Sequence, residues 1–437
     1  MRSAVTVLLR PSNGGGGRGR PVTRILLRAH KDPFRVARPT TVYRRNLIGD
    51  NVGNLLFSSA SYKLLQTAGT EIEVGGMKGG RAEAERINAT ADHVVIPLAN
   101  AFRPSYQQTL DRMSETIEAL TVPVTVLGVG AQLRLDGKVE RLDGVKASVQ
   151  RFVRAVLDHA PSIGVRGEFT EGYLRGLGFR DVDVIGCPSV FLKGPGLRVE
   201  KRVPALTAES RISLNLSPYV PGLVPIVERH MERYPNLRYA AQHRDALGML
   251  LDRDHRPAQT KTDQTRLPTH HAHPLVRDGR TSFFVDPEPW IRYLAGFDYS
   301  LGTRIHGNIA ALLAGTPATV LAHDSRTLEL VRFYDIPHRL MKQTGPDTDA
   351  AELYEEADFT AFNDRHQARF DRFAEFLGAH GLQHVYAPGQ DPEHFDRRVA
   401  ATRWPGDVGA TPPQVRPGFR LADLVGPRIR RFRTAAA

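Results

Sequence analysis

The chain has little that would brace it from outside its own core. Cys187 is its single cysteine among 437 residues, which excludes a disulfide framework and any cysteine-based metal centre and fits a reducing compartment. Tryptophan occurs twice and aromatic residues make up 8% of the chain. No apolar run reaches the roughly 18 residues that a membrane span requires, and Ala4 to Leu9 is too short for a secretory signal. These absences lead us to expect a cytoplasmic protein.

What is present is ordinary globular usage, 41% hydrophobic and 24% charged, in a chain long enough for two domains. The formal charge of +12 and the pI near 9.9 call for an anionic partner: nucleic acid, a lipid surface or a phosphorylated small molecule. Much of the excess lies at the two ends. Residues 1–21, with Gly14 to Gly17 and scattered arginines, read as a disordered leader. Residues 400–437 read as a basic tail in which Arg420, Arg428, Arg430, Arg431 and Arg433 alternate with Phe419, Leu421, Leu424, Ile429 and Phe432. A solvated tail is the plainer reading of that pattern, and peripheral contact with the inner membrane face is the sharper one. With the ends set aside the case for nucleic acid goes, because such a surface wants aromatics interleaved with a basic patch.

Between the ends, short β-branched runs alternate with helical spacing. Strands are expected at Thr23 to Leu27, His93 to Leu98, Val122 to Val129, Ser162 to Val165 and Val182 to Ile185. Helices fall between them, among them Leu55 to Thr67 and Val145 to His159. The Pro- and Gly-rich stretch Lys193 to Ser210 reads as a linker, and a second series of strands starts at Ile212 to Leu216 and Leu237 to Ala241. The expected organisation is α/β, with Rossmann-like domains at 22–195 and 210–345 facing a cleft (GT-B-like) and a C-terminal helical segment at 350–385 that packs back on the first domain. Arg253 to Arg280 lacks periodicity and reads as a surface insertion. Its cluster His270, His271 and His273 has no neighbouring carboxylates, so no metal is expected there.

The most informative stretch is Phe297 to Pro337, a compressed βαβα unit. One strand ends in Gly302-Thr303-Arg304-Ile305-His306-Gly307 and the next, Ala318 to Ala322, in His323-Asp324-Ser325-Arg326. In an open parallel sheet both loops sit at carboxyl ends of strands, where ligands bind. Arg304, His306, His323 and Arg326 are therefore expected to face one crevice. By the same logic Arg166, Gly130, Gln132 and His243 follow other strands. Asn46 and Asp50 sit in a glycine-containing turn (NLIGDN) that opens a helix and suits an anion or a sugar hydroxyl.

Three separated blocks carry a resemblance to a known family: GTRIHGNIAALLAGTP at 302–317, SIGVRGEFTEGYLRGLG at 162–178 and HDSRTLEL at 323–330, together with the NLIGDN turn. In this order they resemble the polysaccharide pyruvyl transferase family, over roughly Tyr43 to Pro337. The resemblance implies two facing Rossmann-like domains and transfer of the enolpyruvyl group of phosphoenolpyruvate to a sugar as a cyclic ketal. The donor substrate would be phosphoenolpyruvate and the acceptor a hexose of a cell-envelope glycan or lipid-linked glycan, with no cofactor and no metal. The family's functional positions fall on Arg166, His306 and Arg326. Arg326 stands where the family more often has lysine, and Gly167 where it usually has aspartate, leaving Glu168 as the nearest carboxylate.

Guanidinium forks match a phosphate and a carboxylate bidentately and stay charged at any working pH, which suits Arg166, Arg304 and Arg326. Protonation of a vinylic carbon and activation of hydroxyls want an acid/base near neutrality, which suits His306 at a helix start. Asn46 and Asp50 would bind the acceptor or close the cleft, Asp324 or Asp245 would supply a second base, and His243 and His323 would take polar roles. Gly130 and Gln132 would let the backbone approach the ligand. The competing reading is a nucleotide-sugar-dependent glycosyltransferase or epimerase of the same architecture, with Glu329 on the ribose.

Overall fold

Residues 22–77, 79–132, 135, 139–251 and 266–409 are described by the computed structural model. The leader, most of the basic tail and the first part of the 253–280 segment lie outside them. The expected strands form: β1 (Thr23–Arg28), β3 (His93–Pro97), β4 (Val124–Leu127), β5 (Ile163–Val165) and β6 (Val182–Val184), with β2 (Thr70–Gly75) between the first two. The β3 and β4 runs are buried at every position, as parallel strands covered on both faces must be. β2 escapes the sequence pattern because it is an edge strand whose Glu71 and Glu73 face solvent.

The first sheet has the order β2-β1-β3-β4, all parallel. Its continuation to the β5–β6 pair runs through Val129, whose N–H donates to the Gly164 carbonyl at 3.1 Å while its carbonyl accepts from Arg166 at 3.0 Å. Strand order reverses between β1 and β3. In a doubly wound sheet that switch point opens a crevice for ligands.

The second half carries β7 (Ile212–Asn215), β8 (Arg238–Ala241), β9 (Thr281–Phe283), β10 (Tyr299–Gly302), β11 (Ala318–Ala322), β12 (His338–Leu340) and β13 (Val408–Gly409). Their order is β12-β11-β10-β7-β8-β9-β13, parallel except for β13 on β9. Here the switch point lies between β7 and β10. The chain is thus an α/β protein of two Rossmann-like halves.

One helix fastens the halves together. Gly53–Leu65 is buried on almost every side, with Leu55, Leu56, Ala60, Leu64 and Leu65 in one core with Trp290 and Ile291 of the second half. Its small residues permit that close packing, and the hydroxyls of Ser58 and Ser61 are satisfied by the carbonyls of Asn54 and Phe57 at 3.0 and 2.8 Å. Beside it, Lys31, just beyond β1, forms a wholly buried ion pair with Asp286 at the start of the helix Pro287–Leu294. Burial raises the Asp286 carboxyl to about 6 even with the ammonium against it.

The C-terminal segment is longer than its helical pattern indicates. The helix Thr360–Ala379 crosses back to the first half, where Phe370 and Phe373 pack on Phe191 and His380 reaches the Ser162 carbonyl at 3.0 Å. The chain then adds the helix His394–Ala401 and returns to the second sheet as β13. The later part of the 253–280 segment is not a surface insertion. Leu267, His273, Leu275 and Val276 are buried there, in turns too short to show a period. His273 caps the short helix Pro274–Arg277, accepting from the Leu275 N–H at 3.2 Å, and burial lowers its imidazole to about 4. Among the described residues no cluster could hold a metal ion, and no helix is long and apolar enough to cross a membrane.

Candidate active site

Between the two switch points lies a cleft of about 620 Å³ lined by both halves. The NLIGDN turn crosses over to close one side. Asn46 and Asp50 both adopt left-handed backbone, and their side chains bind one another: Asn46 Nδ2 donates to Asp50 at 2.9 Å and Asn46 Oδ1 accepts from the Asp50 N–H at 2.8 Å. The turn is stitched to the second half where Val52 donates to the Gln242 carbonyl and Arg244 to the Asp50 carbonyl, each at 3.0 Å. Asn46 and Asp50 line the cleft, and their side chains also hold its wall.

The loop after β10 is positioned from beneath by a buried polar network that no sequence pattern marks. Asn215, at the end of β7, accepts from the Arg304 N–H at 2.9 Å and donates to Asn308 at 2.9 Å, while Asn308 donates to the Gly302 carbonyl at 3.1 Å. Arg304 is fixed by its Nε to the Leu216 carbonyl at 3.1 Å and lies over the Tyr219 ring, 5.8 Å from its centroid. Arg304 lines the cleft. The helix Ile305–Leu313 begins at the next residue and presents its positive end.

His306 sits in the first turn of that helix, its ring 5.8 Å from Phe57 and its Nε2 3.8 Å from Cys187 Sγ. Burial, then the charges of Arg166, Arg326 and Arg304, lower its imidazole to about 3. This corrects the expectation of an acid/base that titrates near neutrality: His306 is a neutral base.

Arg166 follows β5 and is 2% exposed. Its Nε donates to the Gly128 carbonyl at 3.3 Å, while Nη2 is buried with no partner. A buried guanidinium nitrogen without a hydrogen-bond partner is costly unless something else completes it, and this arginine lines the cleft. Gly130 does not line it. A Cβ there would come within 2.5 Å of Arg166 Cδ, so the glycine makes room for the arginine rather than for a ligand. Gln132 also stands behind the wall, its amide 2.9 Å from that of Asn100. Gln242 lines the cleft and, at 2% exposed, has neither side-chain atom bonded.

Glu168 does not supply the carboxylate near Arg166, because it is exposed and pairs with Arg332 at 3.3 Å. Glu329 supplies it from the second half, its side chain lying against Gly167 where any Cβ would collide. Glu329 is 1% exposed and accepts from the Thr170 N–H at 3.1 Å and hydroxyl at 3.0 Å. It does not line the cleft, so it is no ribose ligand. Burial raises it to about 7. A carboxyl raised above its unfolded value binds more protons in the native state, so its contribution to stability is complete below about 4.5 and is lost as pH rises through 7. Glu329→Gln is therefore expected to flatten the fall of Tm between pH 5 and pH 8 relative to the wild type, by calorimetry. A parallel fall in both proteins would refute the assignment.

Arg326 is paired with Asp324, which also caps the helix Ser325–Tyr334 through the Thr327 N–H at 3.0 Å. Burial alone would raise Asp324, but the guanidinium beside it holds the carboxyl at about 2, too low for the second base expected of it. Asp245 is turned to His243 at 3.2 Å and does not line the cleft. His243 and His323 do line it; His243 caps a helix through the Asp245 N–H, and His323 stacks edge-on against Tyr219 at 6.0 Å.

The structure also brings in Arg28, His30, Asn100, Arg103, Tyr106 and Tyr219. The strand-end rule that selected Arg166 applies equally to Arg28, the last residue of β1, and to Arg103, in the loop after β3. Their common address becomes visible only with the strand order.

An α/β enzyme with two parallel sheets around an arginine-lined cleft is the class that these features define. The sequence profile described as Polysaccharide pyruvyl transferase matches residues 51–325, and the chain belongs to that family of transferases. The match contains Arg166, Arg304 and His306 and stops one residue short of Arg326. No curated protein matches the chain. Among solved structures, it is similar to S. aureus MnaA in a co-structure with UDP, at 12% identity and TM-score 0.40 over 88% of this chain and 99% of that one. It is also similar to the UDP-GlcNAc 2-epimerase of Methanocaldococcus jannaschii in complex with UDP-GlcNAc and UDP, at 10% and 0.44 over 81% and 99%. A third is the UDP-GlcNAc 2-epimerase of Neisseria meningitidis bound to UDP-GlcNAc, at 11% and 0.39 over 86% and 100%.

Proposed function

We propose that the protein transfers the enolpyruvyl group of phosphoenolpyruvate to a hexose of a cell-envelope polysaccharide or glycolipid, forming a pyruvate ketal. The observation that carries this reading is Arg166: a buried guanidinium with an unpartnered Nη2 on the cleft, grouped with Arg304 and Arg326 around a neutral histidine. Phosphoenolpyruvate offers a phosphate and a carboxylate for these forks, and the start of the helix Ile305–Leu313 offers N–H donors. Its negative charge offsets the arginines, so donor binding raises the basicity of His306.

His306 accepts the proton of one sugar hydroxyl and delivers a proton to C3 of the donor as that oxygen bonds to C2. The C2–O bond to phosphate then breaks with its electron pair going to phosphate. A second sugar hydroxyl attacks C2 and its proton leaves with the phosphate, so the two hydroxyl protons end on C3 and on hydrogen phosphate. All of this is acid/base and electrostatic chemistry within reach of the residues named.

Incubation with phosphoenolpyruvate and a panel of glycan acceptors is expected to release inorganic phosphate and to add a pyruvate-sized mass to one acceptor. Absence of both across a wide panel, with turnover of a nucleoside diphosphate sugar instead, would overturn the proposal.

A further inference from the structure

The cleft holds more guanidinium than one donor uses. Five arginines line it, Arg28, Arg103, Arg166, Arg304 and Arg326, against one lining carboxylate, Asp50. They fall into two groups. Arg166, Arg326 and Arg304 are the charges that act on His306, and Arg28 and Arg103 are not among them.

Arg28 and Arg103 belong to the other switch point, at the end of β1 and in the loop after β3 of the first half. Arg28 Nη2 donates to the Tyr106 hydroxyl at 3.0 Å, and Arg103 stacks over the same ring at 5.7 Å. With the Asn100 amide oxygen turned toward them, Arg103 and Arg326 each donate to it at 3.0 Å, which holds the two groups side by side. Among the described residues neither Arg28 nor Arg103 has an ion-pair partner, and the Nε of each is buried without a hydrogen bond. Burial, then the neighbouring charge of Arg326, lowers the Arg103 guanidinium. These are two partly desolvated cations, preorganised on one tyrosine and left open toward the cleft.

We infer that Arg28 and Arg103 form a second anion subsite that takes the phosphate of a phosphorylated acceptor, a hexosyl phosphate or diphosphate, while its sugar ring extends toward His306. The inference deepens the reading of the cleft as a pyruvyl transfer site, on which the word acceptor rests. Placing the phosphate at the β1–β3 switch point leaves the β7–β10 switch point to the donor. The ring then lies between them, near Asp50, Asn54 and Tyr219.

Direct binding separates this inference from the reaction. By calorimetry, without phosphoenolpyruvate, hexose 1-phosphates are expected to bind at least about 10-fold tighter than the matching methyl glycosides, as charge-assisted hydrogen bonds require. Arg28→Gln and Arg103→Gln are each expected to reduce that preference, and the double variant to abolish it. Tyr106→Phe, which keeps the ring but frees Arg28, gives a smaller loss and guards against a folding artefact. Two further arms identify the source of the phosphate, a nucleoside diphosphate hexose and an alkyl diphosphate-linked hexose. Weaker binding of either on Arg103→Gln supports the subsite, and unchanged binding of both overturns it. A preference that is absent in the wild type, or that survives the double variant, also overturns it. Failure of phosphoenolpyruvate itself to bind or turn over would count against the pyruvyl transfer reading and leave these binding results standing.

Discussion

His306→Ala is expected to lower kcat for ketal formation by about 100- to 10,000-fold, the usual weight of a positioned acid/base, with little change in melting temperature. The ring borders the cleft and its contacts are light, a tilted contact with the Phe57 ring and a sulfur 3.8 Å away at Cys187, so its loss leaves no unpaired buried charge. Donor affinity should change far less than kcat. His306→Asn, which can accept a hydrogen bond but cannot carry a proton at working pH, should be as slow as the alanine variant. Single-turnover phosphate release measures the effect. A wild-type rate in either variant would remove His306 from the chemistry, and with it the argument that the donor's charge restores the basicity that three arginines suppress.

Arg166→Ala is expected to fail differently. Two charge-assisted hydrogen bonds to the donor are worth about 3 to 4 kcal/mol together, or roughly 100- to 1,000-fold in kcat/KM for phosphoenolpyruvate. The loss should appear in the dissociation constant by calorimetry, where His306→Ala shows little. Arg166→Lys should recover only part of it, because an ammonium keeps the charge but not the fork. Stability gives an independent test. A buried guanidinium with an unpartnered Nη2 is a cost to the fold, so Arg166→Ala should leave the melting temperature unchanged or raise it. A large drop in stability with unaltered donor affinity would make Arg166 a structural residue.

Much of this site was legible at the ends of strands. A β-branched run that stops at a glycine or a charge predicts a loop at the carboxyl edge of a parallel sheet, and Arg166, Arg304, His306, His323 and Arg326 all follow from that rule. The same rule misled at Gly130 and Gln132. There the strand end turns behind the cleft, and the glycine serves the arginine packed on it. Glu168 misled for a related reason: adjacency in sequence suggested a carboxylate for Arg166, whereas the buried one, Glu329, arrives from the other half of the molecule.

The sequence by itself determined the two series of strands, the parallel α/β class and the basic side chains at the strand ends, because burial on both faces leaves a local mark, an unbroken apolar run, on a strand. It also carried the family blocks. Tertiary structure alone decided which strand ends meet. Strand order follows from packing between distant segments and leaves no local signature, so the pairing of Arg28 with Arg103, the open Nη2 of Arg166 and the depressed basicity of His306 emerged only once both sheets were in place. Each of those three properties depends on what surrounds a side chain, and those surroundings are set by the whole fold.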